Sequence, residues 1–315
     1  MKKIHLDIEK AGFYGAYWEN RIPSKAALIA MIGDDPEDYM AKKAVSWAWT
    51  YGLNVLTMSP GRKDYGHHNY PLERIEKAIE YLLREGNERI AITGASTTGT
   101  LSLAAAAHFP QITLTIAFTP SDFIWQGFMR GKKDGCEEWP VEGESLFSWH
   151  GEPLPYMPFV YQHPDYWHCI QKDTRGSGDF IRSRKLFDDS EAAHTLREEE
   201  MIKVEKIRGM LLLIGAEDDA LWDTARYIRR MDQRLRSRKH ACRYRTLVYE
   251  HGTHFIFPES LLTSLMPASR LLLGFLFKAA REYPMECREA RKDIDRKTAN
   301  AFRVWMRRDD TRACI

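Results

Sequence analysis

No run of apolar residues in this chain reaches membrane-spanning length, and its amino end, Met1-Lys2-Lys3-Ile4-His5-Leu6-Asp7, has charge but no apolar h-region. The reading is a chain without a membrane span or a leader, and a cytoplasmic location is expected. Cysteine is scarce: Cys136, Cys169, Cys242, Cys287 and Cys314 are odd in number, widely scattered and without metal-ligand spacing. That excludes a disulfide framework and a thiolate metal site, leaving reduced thiols and no expected metal or cofactor. Charge of one sign is also missing, since 46 Lys and Arg meet 44 Asp and Glu for a net of +2. Such a balance asks for no polyanionic partner, and the interleaved signs form no basic stripe of the kind nucleic acid binds.

What is present is enough apolar sequence for a substantial core: 44% of 315 residues are hydrophobic. A strand–helix–strand rhythm runs through it. The strand Ala26 to Ile32, taken as the first of the core, is followed by a helix from Ala41 to Tyr51. Then come a strand from Asn54 to Met58, a helix from Leu72 to Arg84, a strand from Ile90 to Thr93, a helix from Leu101 to Ala107 and a strand from Leu114 to Phe118. From Phe123 to about Lys203 the rhythm stops in a turn-rich, aromatic stretch, with an acidic helix expected near Glu191 to Glu200. It resumes at Met210. The implied class is α/β, with a mostly parallel central sheet, helices on both faces and a cap insertion. The expected divisions are residues 1–122 and 205–280 for the two halves of the core, 123–204 for the cap, and 281–315 for a charged C-terminal helix or tail.

Chemistry enters at Gly94-Ala95-Ser96-Thr97-Thr98-Gly99, a turn of small residues between a short apolar strand and a helix former. A serine on such a turn is forced toward positive φ, so neighbours on either side must be small for strand and helix to approach. The pattern G-x-S-x-G is nearly met: Thr98 stands where the second glycine belongs, and Gly99 follows it. Thr98 is expected to turn its side chain away from the strand, with Gly99 making the close helix contact.

Two later loops supply partners. Met210 to Ile214 ends in Gly215-Ala216-Glu217-Asp218-Asp219, and Thr246 to Tyr249 ends in Glu250-His251-Gly252-Thr253-His254. Loops that follow parallel strands gather at the carboxyl end of the sheet, so residues distant in sequence can converge there. The order serine, acid, histidine is that expected of α/β-hydrolases and differs from other serine-triad folds. Ser96 would be the nucleophile. Glu217, Asp218 and Asp219 compete for the acid and His251 with His254 for the base; Asp219 and His254 are chosen, since His254 lies at the loop tip before the apolar Phe255-Ile256-Phe257-Pro258. His5, His108, His150, His163, His168 and His194 are read as structural. The oxyanion hole should use the backbone N–H of Thr97 and one from the loop after Ala26 to Ile32, with Asp34 the candidate and Gly33 the fallback. Acidic residues crowd that loop, and its Asp35, Glu37 and Asp38 also suit a helix N-terminus.

These residues resemble the acyl-CoA thioester hydrolase and bile acid-CoA:amino acid N-acyltransferase family, in its C-terminal α/β-hydrolase domain, over roughly residues 10 to 280. The resemblance rests on Gly12-Phe13-Tyr14-Gly15, Pro71-Leu72-Glu73, Gly94-Ala95-Ser96 and Gln111-Ile112-Thr113. It is most specific in Leu213-Ile214-Gly215-Ala216-Glu217-Asp218-Asp219-Ala220-Leu221-Trp222 and in Tyr249-Glu250-His251-Gly252-Thr253-His254-Phe255-Ile256-Phe257-Pro258. It implies the same three residues, Ser96, Asp219 and His254. Because acyltransferase members use cysteine where thioesterases use serine, it also implies water as the acyl acceptor. The chain departs from the family in having about twenty-five residues, rather than a β-sandwich, before the strand at Ala26. It departs again in carrying Asp34-Asp35-Pro36-Glu37-Asp38 for the glycine-rich oxyanion loop.

The expected function is therefore a serine hydrolase that cleaves an acyl thioester or ester through an acyl-serine intermediate, most like an acyl-CoA thioesterase. A carboxylesterase or peptidase on the same triad is the alternative, and a non-catalytic binding protein of the same fold is a further one. The expected partner is a small acyl substrate. Aromatics of the insert, such as Trp125, Phe147, Phe159 and Tyr166, are read singly as cap core and collectively as the lining of an acyl pocket. Beyond Pro284 a charge-dense segment with Ile294, Phe302 and Trp305 should be a helix docking on the body or on a second copy, making a homo-oligomer through this tail one outcome.

Overall fold

The computed structural model describes residues 2–32, 35–58, 67–130 and 138–307. Eight strands form one sheet: β1 (Lys3–Leu6), β2 (Gly15–Trp18), β3 (Ala26–Met31), β4 (Asn54–Met58), β5 (Arg89–Ala95), β6 (Ile112–Phe118), β7 (Met210–Ala216) and β8 (Arg243–Tyr249). Their order is β1-β2-β4-β3-β5-β6-β7-β8. The pairings β1–β2 and β2–β4 are antiparallel, and every other pairing is parallel. The central strands read as unbroken apolar runs because helices cover both of their faces, leaving no solvent side on which polar residues could alternate.

Helices α2 (Glu73–Arg84), α3 (Thr97–His108) and α4 (Thr224–Ser237) share a core with one face through Ile75, Ile79, Leu101, Leu103, Tyr227 and Ile228. Helix α1 (Tyr39–Trp49), α5 (Glu259–Leu265) and α6 (Pro284–Arg307) cover the other through Val45, Trp47, Leu261, Leu262, Ile294 and Phe302. The last of these is the charge-dense tail. Its apolar residues form one face that lies on the body: Phe302 packs between Trp47 and Tyr51, Trp305 donates its indole N–H to Thr113 Oγ1 at 2.8 Å, and Arg89 donates to the Trp305 carbonyl.

Two sequence expectations are corrected here. Ala26 does not open the sheet, because β1 and β2 precede it as an antiparallel pair. They escape a periodicity search because each is four residues long and β1 is a charged edge strand. Nor does the acidic stretch form one helix. A helix spans Arg184–Ala193, and Glu198–Glu200 is a separate 3-10 turn. Glu200 explains the break, since its buried carboxylate accepts from the Arg197 backbone N–H, the Arg197 guanidinium and His194 Nε2, a set that a continuous helix could not deliver.

Between β6 and β7 the chain leaves the sheet. Its aromatics pack closely: Trp125 meets Phe123 and Phe187 edge to face and Trp222 at a tilt, and Phe159 meets Phe187 and Tyr166 edge to face, with centroids 5.2–6.1 Å apart. An ionic clamp ties this insert to α4. Arg230 grips Asp122 at 2.6 and 2.7 Å and Glu191 at 2.5 Å, while Arg226 reaches Glu191 and Asp188. Burial pushes the Asp122 carboxyl up to about 6, against the pull of Arg230. Among the described residues no helix is long and apolar enough to cross a membrane, and no cluster of His, Cys, Asp and Glu could hold a metal ion. Cys169, Cys242 and Cys287 are free and buried, and burial raises the Cys242 and Cys287 thiols to about 11. Cys136 and Cys314 lie outside the described residues.

Candidate active site

Ser96 follows the last residue of β5 and stands at the N-cap of α3 with φ 59° and ψ −129°. An L-residue pays for such a backbone with steric strain of about 1–3 kcal/mol, and the fold must hold it there. Three contacts do. The Ser96 N–H donates to the Phe118 carbonyl at 2.9 Å, fixing the turn to the end of β6. A Cβ on Gly94 would run into the Thr98 carbonyl, and one on Gly99 would sit 2.7 Å from the Phe118 carbonyl, so both glycines permit close approach. Finally, Thr98 Oγ1 accepts from the Ala95 N–H at 2.9 Å and faces the Ala95 and Met31 carbonyls at 2.8 and 3.1 Å. The expectation for Thr98 is thus half corrected: Gly99 does make a close contact, but the threonine side chain turns toward the strand. Its hydroxyl can satisfy the strand-end groups that the sharp turn leaves exposed.

Asp219 and His254 meet in the interior. His254 Nδ1 lies 2.9 and 2.8 Å from the two Asp219 carboxylate oxygens, and both side chains are buried. The carboxylate is held from behind by the Leu221 N–H at 2.9 Å and the Thr224 hydroxyl. Arg184 ties the same loop by donating to the Glu217 and Asp219 carbonyls and pairing with Asp223. The imidazole stands at 85° to the Trp222 ring with centroids 4.7 Å apart. The indole N–H donates to the Thr119 carbonyl, and the Thr119 hydroxyl donates to the His254 carbonyl at 3.3 Å. Because Thr119 directly follows Phe118, which receives the Ser96 N–H, the serine turn and the histidine loop are stitched to the same strand end.

His254 Nε2 is buried with no hydrogen-bond partner among the described residues, so no bond joins it to Ser96 in this structure. The competing residues have other partners: Glu217 pairs with Arg229 near the surface, and Asp218 with His251 at 2.8 Å, whose ring stacks on Tyr283 at 3.6 Å. Thr97 is the first residue of α3, where a backbone N–H has no intrahelical acceptor. The candidates for the second donor, Asp34 and its fallback Gly33, lie outside the described residues. Beside them, Asp38 caps α1 through the Ala41 N–H, Asp35 accepts from Tyr14 and the Glu37 N–H, and Glu37 pairs with Lys3 and His5. The acidic run therefore serves a helix start and its surroundings.

Sequence reasoning missed Thr119, Thr224 and Arg184, which position the pair. Thr224 had a faint signal, five residues beyond Asp219, while the other two are recruited from elements that only folding brings near. The aromatics of the insert form packed core running up to Trp222. Cavities of ≈ 400 Å³ beside Asp122 and Arg230 and of ≈ 520 Å³ beside Lys206, Arg208 and Lys239 include none of Ser96, Asp219 or His254.

Sheet order, antiparallel β2 and the turn after β5 define an α/β-hydrolase fold. The model of the BAAT / acyl-CoA thioester hydrolase C-terminal family matches residues 70–264, and the chain belongs to that family. The match takes in Ser96, Asp219 and His254 and is narrower than the 10 to 280 read from the sequence. No curated protein sequence matches the chain. Among solved structures it is similar to an esterase of Pyrococcus furiosus (13% identity, 97% of this chain and 92% of that one, TM-score 0.49). It is also similar to the esterase domain of a Rhodothermus marinus protein (13% identity, 90% and 98%, TM-score 0.42). A third likeness is to a puromycin-hydrolysing peptidase of Mycobacterium tuberculosis (12% identity, 88% and 39%, TM-score 0.44). Membership of the family supports an enzyme of the esterase or thioesterase type.

Proposed function

We propose that the protein is a serine hydrolase in which Ser96, His254 and Asp219 act together on an acyl thioester or ester. The observation that carries this reading is the His254 imidazole: one nitrogen is engaged by a buried carboxylate, and the other is buried with no hydrogen-bond partner among the described residues. Asp219 accepting at Nδ1 fixes the tautomer with its lone pair on Nε2, the state of a general base. A hydroxyl is a poor nucleophile at neutral pH, so Ser96 Oγ attacks the acyl carbon as its proton passes to Nε2. Asp219 stabilises the imidazolium, and the Thr97 N–H stabilises the oxyanion together with a donor from the segment after β3, Asp34 or Gly33. Collapse breaks the bond to the thiol or alcohol, which leaves with the proton from Nε2. Water then attacks the acyl-serine as His254 again takes the proton, and collapse breaks the bond to Ser96 Oγ, which recovers that proton from Nε2 as the carboxylic acid is released. Serine and histidine need not be hydrogen-bonded beforehand, since such bonds tighten in the substrate complex.

Family membership favours thioesters, and serine rather than cysteine at position 96 favours water over an amine as acceptor. A carboxylesterase or peptidase would use the same residues, so leaving-group preference separates them. Two measurements test the proposal. A fluorophosphonate probe should label the chain covalently and fail to label Ser96→Ala; intact protein that never labels would leave a binding protein instead. Matched thioesters and oxygen esters should then show faster turnover of the thioester, and equal or better ester turnover removes the thioesterase reading.

A further inference from the structure

The helix Ser269–Leu276, of sequence Ser-Arg-Leu-Leu-Leu-Gly-Phe-Leu, is apolar on two faces. One is explained by the core, where Leu273 is buried and Phe277 follows. The other is not: Leu271 and Phe275, one turn apart on the same side, are 81% and 82% exposed. Phe180, 71% exposed, stands beside the helix end, where its backbone N–H donates to the Leu276 carbonyl at 2.7 Å. Scattered single apolar residues on a surface need no explanation, but three large side chains projecting from adjoining elements do.

The patch adjoins the candidate site. Phe277, at the helix end, packs on Phe255 at 5.6 Å, and Phe255, itself 37% exposed, directly follows His254. The segments beside it carry a surplus of exposed cations, Arg175, Lys278 and Arg281 against Glu282, which Lys278 faces at 4.0 Å. Arg281 donates to the carbonyls of Gly274 and Gly178, bracing the helix against the loop that carries Phe180, and has no carboxylate partner among the described residues. Arg175, exposed at the start of that loop, has none either. A protruding apolar ridge with a surplus of exposed cations in the segments beside it is complementary to an anionic lipid surface, where side chains enter the acyl boundary and cations stay with the headgroups.

We infer that Leu271, Phe275 and Phe180 seat this protein on an anionic lipid surface, with the loop that carries His254 and Phe255 on the same side. The inference deepens the proposed function, since acyl esters and thioesters of long chains are amphiphiles that partition to such surfaces, but binding itself needs no catalysis.

The full chain is sedimented with vesicles of phosphatidylcholine alone and of phosphatidylcholine with phosphatidylserine. Binding is expected to the phosphatidylserine vesicles, to weaken with salt, and to fall about tenfold or more in Leu271→Ser/Phe275→Ser. Phe180→Ser, on a separate loop, should also weaken it, so a folding defect in the helix alone cannot imitate the result. Arg175→Gln should weaken binding to the anionic vesicles and leave the small uptake on neutral ones unchanged. Ser96→Ala should bind vesicles fully, and an unsubstituted chain that binds vesicles yet is never labelled by the fluorophosphonate would overturn the hydrolase and spare the surface. Absence of binding to phosphatidylserine vesicles, or equal binding by the double variant, overturns the inference. So does a dimer in solution that dissociates in the double variant while vesicles remain unbound, which would assign the ridge to a second copy of this chain.

Discussion

Replacing Thr98 by valine keeps the shape of the side chain and removes only its oxygen. At the turn that oxygen accepts the Ala95 N–H at 2.9 Å, and its proton serves the Ala95 or Met31 carbonyl. An N–H left without an acceptor in a partly buried site costs about 1–3 kcal/mol and the lost donated bond about 1 kcal/mol, giving a loss of about 2–3 kcal/mol after partial access of water. For a chain of this size that is a fall in Tm of about 5 °C. Activity should fall further than stability explains, because Ala95 directly precedes Ser96, and the strained φ of 59° depends on the turn being pinned. Differential scanning calorimetry, with turnover of a short acyl ester measured well below the transition, reads both effects. Thr98→Ser keeps the oxygen and should stay within about 1 kcal/mol of the parent in stability. The decisive variant is Thr98→Gly, which restores G-x-S-x-G yet loses the hydroxyl and adds about 1 kcal/mol of glycine penalty near a helix start. A glycine variant as stable and active as the parent, or a valine variant matching serine, would refute the role given to the hydroxyl.

Other outcomes follow from the same geometry. Ser96→Gly should be inactive and more stable than Ser96→Ala by about 1–2 kcal/mol in denaturant melts, since glycine relieves the left-handed strain that alanine keeps. Asp219→Asn should lower kcat by roughly 10³–10⁴ with little change in KM, because an amide that donates to Nδ1 fixes the wrong tautomer; a loss in KM alone would count against this. Asp122, raised to about 6 by burial, lends stability that is complete below its unfolded value near 4 and lost as pH rises through about 6. The stability difference between parent and Asp122→Asn should therefore shift by up to about 2–3 kcal/mol, to the parent's disadvantage, between pH 4 and 6.5 in urea melts, and stay level above that. A difference that is flat throughout would mean the carboxyl ionises normally beside Arg230.

How much was legible without coordinates differs by element. The parallel strands are readable because burial on both faces forces unbroken apolar runs, as in Ala26–Met31 and Asn54–Met58. Short antiparallel β1 and β2 are not, since four residues carry no period and their pairing is decided by β4. The acidic stretch ending at Glu200 misleads for a related reason: helix propensity is local, whereas the buried carboxylate answers to Arg197 and His194 in three dimensions. The ridge at Leu271 and Phe275 gives no hint in sequence, where an apolar helix reads simply as core.

By itself the sequence determined the order of chemical groups, Ser96, then Asp219, then His254, each after a strand, because strand, turn and helix propensities are local properties of the chain. It also determined that position 98 departs from glycine. The loop position and the family resemblance favoured Asp219 with His254, but only the tertiary structure shows that pair buried together while Asp218 meets His251 nearer the surface. It likewise decided the meaning of Thr98, whose hydroxyl matters through backbone groups of Ala95 and of Met31, a residue 67 positions away. Packing and hydrogen bonding across the sheet bring such groups together, and no spacing along the chain records them.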